Sequence, residues 1–364
     1  MHLSSNSIIK TTHYNYSKIF SNPINIGYGI DDNFARCTAT SIFSFYKNNP
    51  NKNFIFHILE NNLSNTYKEK FHLLAKKYSL NIIIYTINID ILKNLPSNIT
   101  FTTAMYFRYM FPYILKNNEK IIYIDGDTLC LNNAEELFNI DLENNIIAAV
   151  PDLKWANKTR NEALSLKNHI YFNSGMLLIN AKKWNEFNTF EKLIECLSTI
   201  GKNFLFPDQD ALNLVLTNKV KYIDLKFNWI KVENLSNDNI DNIIILHYAA
   251  SPKPWSLSWS LNPKTNNINR NIYKTYEEQT PFFNMPLIRP KTYKEMEHYA
   301  KSLRKNHFYI DSFKWYLKYL IKNYLNKFFI LTRRLLYERL VFKYRLYKIL
   351  SFVFFIINVL SNSL

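Results

Sequence analysis

The sequence predicts an α/β fold: a mainly parallel sheet with helices on its faces, followed by a helical, basic C-terminal region. From Ile24 to about Leu246, short apolar runs alternate with longer segments of helical character, which is the pattern of parallel sheets. The chain has 364 residues, of which 47% are hydrophobic and 16% aromatic. That composition excludes a disordered protein and is sufficient for one large core or two smaller ones.

Each element follows from this alternation. The short apolar runs are the strands, and helices follow the first three of them in turn. The predicted strands are Ile24–Ile30, Phe54–Leu59, Ile82–Ile87, Ile121–Ile124, Ile146–Val150, Gly175–Ile179 and Ile243–Leu246. The predicted helices are Ala35–Tyr46, Tyr67–Tyr78, Ala104–Leu115 and a helical segment at Ala211–Leu216.

Prolines mark the boundary between the alternating region and the basic region. Pro281, Pro286 and Pro290 lie close together, and neither Pro nor Gly occurs after them. This indicates a boundary followed by helix. We therefore predict an N-terminal extension (1–22), a domain of catalytic size (23–280) and a helical basic region (281–364).

The basic region carries most of the net charge of +16, because residues 301–350 contain 13 Lys and Arg but only two acidic residues. Its apolar residues keep a three-and-four spacing, and Lys314, Lys318 and Lys322 form a separate row. The apolar row is Leu317, Leu320, Ile321, Tyr324, Phe328, Leu331 and Leu335.

A basic amphipathic helix of this kind is suited to an anionic membrane surface. Docking on the rest of the protein is the alternative. The last apolar run, Ile349–Leu360, is shorter than the roughly 20 residues that span a bilayer. No nucleic-acid motif is visible, so we predict no nucleic-acid partner.

The cysteines and the N-terminus predict a cytoplasmic protein. Cys37, Cys130 and Cys196 are widely separated, follow no metal-site spacing and cannot all pair. The polar start, Met1–Lys18, has no apolar stretch of the kind found in signal peptides. Together with the basic helix, this predicts a peripheral location on the inner face of the cytoplasmic membrane.

The strongest chemical signal is Asp125-Gly126-Asp127, which follows the apolar run Ile121–Ile124. Open α/β sheets place their ligands at the carboxyl ends of their strands. Carboxylate oxygens at such an edge suit Mg²⁺ or Mn²⁺, which often also bind substrate phosphates. Two acids in an ordinary solvated turn are the alternative.

Other segments are ambiguous when taken singly. Asp31-Asp32-Asn33 is typical of a helix N-cap, and its geometry also suits an aspartate that accepts the imide proton of uracil. His247 ends an apolar run and precedes Lys253, so it could complete a metal site while the lysine balances phosphate charge.

Two further polar runs admit a structural and a functional interpretation. Asp208-Gln209-Asp210 opens a helical segment, and Asn173-Ser174-Gly175 leads into a strand. Carboxylates and amides of this kind also bind sugar hydroxyls. Only five glycines occur in the chain. Four of them, Gly27, Gly29, Gly126 and Gly175, lie in the candidate site segments, and we expect the local backbone at each position to require glycine.

Taken together and in this order, the segments resemble family 8 retaining glycosyltransferases, which have a GT-A fold. The likeness is greatest to lipopolysaccharide core α-glucosyl- and α-galactosyltransferases, and it extends to about residue 305. The matching stretches are Ile26–Asn33, Ala104–Arg108, Tyr123–Asp127, Tyr171–Gly175, Asp208–Asp210 and His247–Trp255.

The resemblance implies a role for each matching position. Asp125, Asp127 and His247 would bind Mn²⁺ or Mg²⁺, while Asp31 and Asn33 hold the uracil of a UDP-sugar and Phe34 stacks on it. Arg108 and Lys253 would face the donor diphosphate beside Gly126. Asp152, Asn173, Asp208 and Gln209 would surround the transferred sugar and the reacting centre. The family usually has glycine where Ala250 stands beside the phosphates, and alanine resists the positive φ that glycine adopts.

The implied reaction is transfer of glucose or galactose to a lipopolysaccharide core oligosaccharide with retention of configuration. The matching reaction-centre position holds Gln209 rather than a carboxylate, which favours front-face substitution over double displacement through Asp152 or Asp208. Two other classes stay open, a metal-dependent sugar-nucleotide hydrolase and a non-catalytic basic membrane or nucleic-acid adaptor. The adaptor would have no use for Asp125, Asp127 and His247 together.

Overall fold

The structure is a computed structural model that describes residues 7–18, 22–97, 102–230, 235–236, 240–249, 252–261, 267–327 and 332. The chain divides into two compact units. The first comprises Met1–Pro254 and Lys264–Pro286, and the second comprises Trp255–Pro263 and Leu287–Leu364. Ala250 and the apolar run Ile349–Leu360 lie outside the described residues.

The first unit is built on a mixed eight-stranded sheet. Its strands are β1 (Ile8–Asn15), β2 (Ile24–Gly29), β3 (Phe54–Glu60), β4 (Asn81–Ile87), β5 (Lys120–Ile124), β7 (Ile147–Pro151), β8 (Phe172–Asn180) and β9 (Val220–Tyr222). Their order across the sheet is β1-β4-β3-β2-β5-β8-β7-β9. Two further strands, β6 (Thr128–Cys130) and β10 (Ile245–His247), form a separate antiparallel pair.

The parallel part of the sheet is the part that the sequence predicts. β4, β3, β2 and β5 run parallel to one another, as expected of apolar runs linked by helical crossovers. β8 is antiparallel to both β5 and β7. The predicted α/β class, with a mainly parallel sheet and flanking helices, is confirmed.

Helices flank the sheet, and helices are present at three of the four predicted segments, Ala35–Tyr46, Tyr67–Tyr78 and Ala211–Leu216. The helices of the first unit are α1 (Ala35–Asn48), α2 (Asn65–Tyr78), α3 (Phe111–Ile114), α4 (Glu135–Phe138), α5 (Lys154–Ala163), α6 (Ala181–Glu186), α7 (Thr189–Ile200), α8 (Pro207–Val215) and α9 (Asn267–Glu277).

The prediction of one helix over Ala104–Leu115 is wrong. The chain forms a 3-10 helix at Thr103–Tyr109 and then the single turn of α3. Pro112 lacks the N–H that a continuous α-helix would need there, so it fits only the first turn of a new helix. The 3-10 segment also lies against β2, where the Cβ of Phe107 would be 2.8 Å from a Cβ built on Gly29.

Three strands were not predicted, and each is short or partly exposed. β1 lies within residues 1–22 and pairs with β4 as an antiparallel edge strand, and from Thr11 onward its exposed and half-buried side chains alternate. β6 and β9 have three residues each. Because their positions depend on backbone partners far along the chain, periodicity within each segment carries little signal.

Helix α1 is the element behind the candidate site. It is almost wholly buried and is joined to α9 by Arg36, whose guanidinium contacts both carboxylate oxygens of Glu277. Arg36 also donates to the carbonyls of Met285 and Pro286. A buried, bidentate pair with additional carbonyl acceptors fixes the position of α1 against the segment that follows α9.

The second unit is helical where it is described. α10 (Tyr293–Lys305) begins with a capping box between Thr292 and Glu295, and a further helix covers residues 309–327. On that helix Leu317, Ile321 and Tyr324 are exposed, at 42%, 62% and 71%. Within the described residues, no helix is both long and apolar enough to cross a membrane.

Candidate functional site

Asp125, Asp127 and His247 come together at the carboxyl end of β5. Asp125 follows β5 directly, Asp127 precedes β6, and the pairing of β6 with β10 places His247 opposite Thr128. One ligand atom from each of the three residues lies within 4.8 Å of the others. The sequence predicted this set, and two strands that are distant in the sequence bring it together.

Hydrogen bonds fix which nitrogen of His247 faces the carboxylates. The backbone N–H of Gly175 donates to Asn173 Oδ1, so that atom is the acceptor. The Nδ2 of Asn228 donates to the same oxygen, which leaves Asn228 Oδ1 to accept from His247 Nδ1–H at 2.9 Å. Neutral His247 therefore presents an unprotonated Nε2 to the aspartates.

The resulting site has the donor chemistry of a divalent cation site. His247 Nε2 lies 3.3 Å from Asp127 Oδ1 and 3.9 Å from Asp125 Oδ2, so acceptor atoms face one another. A divalent cation held by these three residues would relieve that repulsion, and oxygen ligands with one imidazole suit Mn²⁺ and also accommodate Mg²⁺. The outer hydrogen bond from His247 to Asn228 is the usual support of a metal-binding imidazole.

Lys253 adds a positive charge beside this set. Its ammonium lies 2.5 Å from Asp127 Oδ2 and donates to the carbonyl of Tyr248. Burial alone would raise the pKa of Asp127, but the ammonium of Lys253 outweighs it, and the net effect is a lowered pKa. Asp127 is therefore a carboxylate at neutral pH.

Arg108 links the metal-site carboxylate of Asp125 to the carboxylate of Asp208. Its guanidinium contacts Asp125 Oδ1 at 2.8 Å and Asp208 Oδ2 at 3.0 Å, and it donates to the carbonyl of Ser174. Burial acts to lower the pKa of Arg108, but Asp125 and Asp208 raise it above its ordinary value. Its donors are used within the protein, and its contact with the donor diphosphate stays a prediction.

Tyr123 is a further contact of Asp125, and it is one for which the sequence predicts no role. Its hydroxyl donates to Asp125 Oδ1 at 2.6 Å, and its ring lies 4.7 Å from the guanidinium carbon of Arg108. Tyr123 is two residues before Asp125 and therefore points to the same side of the strand. Because side chains two residues apart on a strand face the same side, the position of Tyr123 relative to Asp125 is the sequence signal that could have identified this contact.

A second cluster joins Asp152, Asn173 and Gln209. The backbone N–H of Ser174 donates to Gln209 Oε1 at 2.9 Å, which fixes the orientation of that amide. Gln209 Nε2 then donates to Asp152 Oδ2 at 2.8 Å, and Asn173 Nδ2 donates to the same oxygen. Because Asn173 also binds Asn228, this cluster is connected to the metal set.

Asp208 lies in the same region but is more deeply buried. Ser174 Oγ donates to its carboxylate, and Arg108 pairs with it. Burial raises the pKa of Asp208, Asp125 adds to that shift, and Arg108 opposes it. Asp210, the third residue of its run, is wholly buried and binds Arg160 and the hydroxyl of Tyr171, so its role is structural.

The turn at Asp31–Phe34 does not cap α1 with a side chain. The N-cap residue of α1 is Phe34, and no side-chain hydrogen bond caps the helix. Asp31 Oδ1 instead accepts from the backbone N–H of Asn33, and Asp32 Oδ1 accepts from the N–H of Ser64, which precedes α2. The N-cap interpretation of this turn is wrong, and the contacts of Asp31, Asn33 and Phe34 with a base stay predictions.

Two glycines are required for space at this site. All five glycines lie in the described part of the chain, and none has a positive φ. A Cβ on Gly175 would lie 2.3 Å from the ring of His247, and a Cβ on Gly126 would lie 2.2 Å from Thr38 Oγ1. Glycine is therefore required at these two positions because the side chain of another element approaches the backbone closely.

Comparison with known proteins establishes the family. Residues 25–258 match the profile of Glycosyl transferase family 8, and residues 249–323 match that of Glycosyl transferase family 8 C-terminal. The chain belongs to glycosyltransferase family 8. The resemblance inferred from the sequence motifs is confirmed.

Similar proteins cover most of this family 8 chain. It is 31% identical over 327 residues to Lipopolysaccharide 1,3-galactosyltransferase of Salmonella typhimurium, covering 86% of this chain and 95% of that protein. It is 31% identical over 312 residues to Lipopolysaccharide glucosyltransferase WaaO of Escherichia coli, covering 82% and 91%. The crystal structure of galactosyltransferase LgtC with donor and acceptor sugar analogs has a TM-score of 0.60 at 22% identity, covering 71% and 96%, which shows a shared fold.

Proposed function

We propose that this family 8 protein transfers glucose or galactose from a UDP-sugar to a lipopolysaccharide core oligosaccharide, with a divalent cation and with retention of configuration. The observation that carries the proposal is the set Asp125, Asp127 and His247, in which hydrogen bonding leaves His247 Nε2 free to face the two carboxylates. The two lipopolysaccharide glycosyltransferases that it resembles over most of its length support the acceptor class.

The residues around the cation site suit activation of a diphosphate leaving group. When bound, the divalent cation supplies electrostatic stabilisation of the diphosphate. Asn228 holds His247 in the ligand tautomer, and Arg108 and Tyr123 hold Asp125. Lys253 brings an ammonium to Asp127, where it can also neutralise negative charge that grows on the departing phosphate.

The second cluster favours front-face substitution over a covalent intermediate. Gln209 Oε1 already accepts from Ser174, and Asp208 is buried and paired with Arg108, so neither is available as a nucleophile. Asp152 accepts from Leu153, Gln209 and Asn173, which lowers its nucleophilicity. The departing phosphate is then the base that accepts the proton of the acceptor hydroxyl.

We also propose that the second unit binds the inner face of the cytoplasmic membrane. Its exposed large residues include Phe308, Ile310 and Phe313, at 54%, 75% and 63%. Lys314, Lys318 and Lys322 lie in the same stretch. Apolar side chains beside lysines suit the headgroup region of an anionic bilayer. Liposome binding that is unchanged by truncation at Pro290 would contradict this proposal.

The test of the activity uses the full chain with Mn²⁺, UDP-glucose, UDP-galactose and truncated core oligosaccharides, with the product linkage mapped by NMR. We expect transfer in the presence of acceptor, no transfer after chelation with EDTA, and an α-linkage. Rapid hydrolysis of the UDP-sugar that no acceptor alters would indicate a sugar-nucleotide hydrolase instead.

Variants connect that activity to the proposed site. Asp125→Ala and Asp127→Ala should each abolish transfer and weaken Mn²⁺ binding measured by calorimetry. Asp90→Ala is the matched control, because Asp90 is an exposed carboxylate paired only with Lys93 in the described structure. Full turnover by the Asp125→Ala/Asp127→Ala double variant would refute the assignment.

A further inference from the structure

A cavity of about 760 Å³ lies next to the second cluster of the site. Its volume is within the range of small-molecule sites in proteins. Asp152 and Asn228 line it, and these residues bind Gln209 and His247 respectively. The cavity therefore adjoins the place where an acceptor hydroxyl must meet the donor sugar.

Helix α5 supplies much of the remaining wall. Lys154 and Lys158 both line the cavity and are exposed, and they are four residues apart. Side chains with that spacing lie on the same face of a helix, one turn or about 6 Å apart, so both can reach one ligand group.

The charges of these two lysines are not used by the described part of the protein, where neither ammonium has an ion-pair or hydrogen-bond partner. By contrast, Lys221 and Lys226 of the first unit are paired, with Glu143 and Glu136 respectively, each within 2.6 Å. Two unpaired ammonium groups on one cavity wall form a site for an anion.

In the described structure neither carboxylate of the cavity, Asp152 or Glu162, forms an ion pair with these two lysines. Asp152 accepts hydrogen bonds from three N–H donors within its own cluster. Glu162 lies four residues after Lys158 but makes no ion pair with it in the structure. Ile170 and Leu225, at 45% and 40% exposure, add apolar surface to the lining, as expected where the faces of sugar rings bind.

We propose that the acceptor saccharide carries an anionic group, a phosphate or a carboxylate, and that Lys154 and Lys158 bind it in this cavity. This proposal rests on the proposed function, and it specifies in addition that the acceptor is negatively charged. The anion lies on the part of the acceptor that extends from the reacting hydroxyl along α5.

The experiment compares enzyme variants with chemically altered acceptors. The acceptor is truncated core oligosaccharide released from lipopolysaccharide by mild hydrolysis, used untreated, after phosphatase treatment, and after reduction of its carboxyl groups. The enzymes are the full-length protein, its Lys154→Gln, Lys158→Gln and double variants, and Lys167→Gln. Lys167 is an exposed lysine just after α5 that does not line the cavity, and it serves as the charge-matched control.

We expect the double variant to raise the acceptor KM for untreated oligosaccharide roughly tenfold, since each lysine loses one contact with a charged group. Removal of the recognised anion should raise the wild-type KM by a similar factor and abolish the difference between wild type and double variant. If phosphatase treatment has this effect, the recognised anion is a phosphate, and if reduction of the carboxyl groups has it, the anion is a carboxylate. The Lys167→Gln variant should match wild type with all three acceptors.

Two results would overturn the inference. One is an unchanged acceptor KM in the double variant, and the other is a rise that stays the same after both chemical treatments. Thermal midpoints of the variants show whether a rise in KM reflects unfolding. Failure of the wild type to use any of the three acceptors would instead count against the proposed acceptor class, and calorimetric binding of the same oligosaccharides to UDP-loaded protein separates the two failures.

Discussion

Replacement of Gly126 by alanine tests how the spacing of the metal-site carboxylates is set. A Cβ at this position would lie 2.2 Å from Thr38 Oγ1 on helix α1, and 3.5 Å from Thr38 Cβ. Carbon and oxygen atoms that are not bonded rarely come within about 3.0 Å, so one side must move by roughly 0.8 Å. Thr38 is wholly buried and β-branched, which leaves its side chain little room to rotate.

Two costs follow from this displacement. Overpacking of this kind destabilises a protein by about 1–3 kcal/mol. A shift of the turn also moves Asp125 and Asp127 relative to His247, and misplacement by about 1 Å costs on the order of 100-fold in rate. We therefore expect Gly126→Ala to lower both the thermal midpoint and kcat, and to weaken Mn²⁺ binding.

A second substitution on α1 should reverse these effects. In the described structure Thr38 Oγ1 has no hydrogen-bond partner, so Thr38→Ala removes the clashing atom without breaking a hydrogen bond. The nearest remaining atom of residue 38 is then its Cβ, at an ordinary contact distance of 3.5 Å. Calorimetric Mn²⁺ titration, thermal unfolding and initial rates of the two single variants and the double variant form a complete cycle.

The cycle has a clear refuting outcome. If Gly126→Ala/Thr38→Ala is as impaired as Gly126→Ala, the contact with Thr38 does not set the turn. Wild-type metal affinity and rate in Gly126→Ala alone would show that the turn accommodates a Cβ freely. Only recovery in the double variant supports the reasoning.

The remaining predictions concern orientation, pH and buried charge. Asn228→Ala should weaken Mn²⁺ binding about 10- to 100-fold, because His247 loses the hydrogen bond that fixes its tautomer; unaltered affinity by calorimetry would contradict this. Burial lowers the pKa of His57 to about 3. The unfolded chain takes up a proton near pH 6.5, whereas folded His57 does so only near pH 3. Between these two pH values the free energy of unfolding should fall by about 1.4 kcal/mol per pH unit, and chemical denaturation of His57→Gln should show a slope that is smaller by this amount. Arg160→Met should cost about 3–5 kcal/mol of unfolding free energy, because Asp210 stays buried without its partner; a change below 1 kcal/mol in urea titration would refute it.

The sequence predicted the parallel half of the fold because each of its strands is a self-contained apolar run. β2, β3 and β4 needed only their own residues to be recognised, and the helices that follow β2 and β3 were predicted almost to their ends. β1 and the pair of β6 with β10 depend on backbone partners more than 60 residues away in the sequence. The side chains of β1 and β6 carry no comparable pattern, and the apolar run of β10, which was predicted as a strand, does not reveal its partner.

The sequence predicted the three metal-site residues from their types and their order along the chain, but it did not predict the residues that hold them in position. Asp125, Asp127 and His247 stood out because each follows or ends an apolar run. Asn228 had no such signal, because its importance arises from a bridge between Trp229 and Leu246 that brings it beside His247. A residue that acts by orienting another is visible only when both partners are located in space.

The glycines show how a correct signal can have a different physical cause. Their rarity pointed to Gly126 and Gly175, and both lie at the candidate site. Neither adopts a backbone conformation that other residues avoid; each leaves space for a side chain of another element, Thr38 from α1 in one case and His247 from β10 in the other. The requirement for glycine at each position is therefore a property of a pair of residues. A chain with alanine in place of Gly126 should need a smaller residue than threonine at position 38. A chain with alanine in place of Gly175 could keep His247 only if β8 and β10 moved apart. That movement would also break the hydrogen bonds through Asn173 and Asn228 that orient the imidazole.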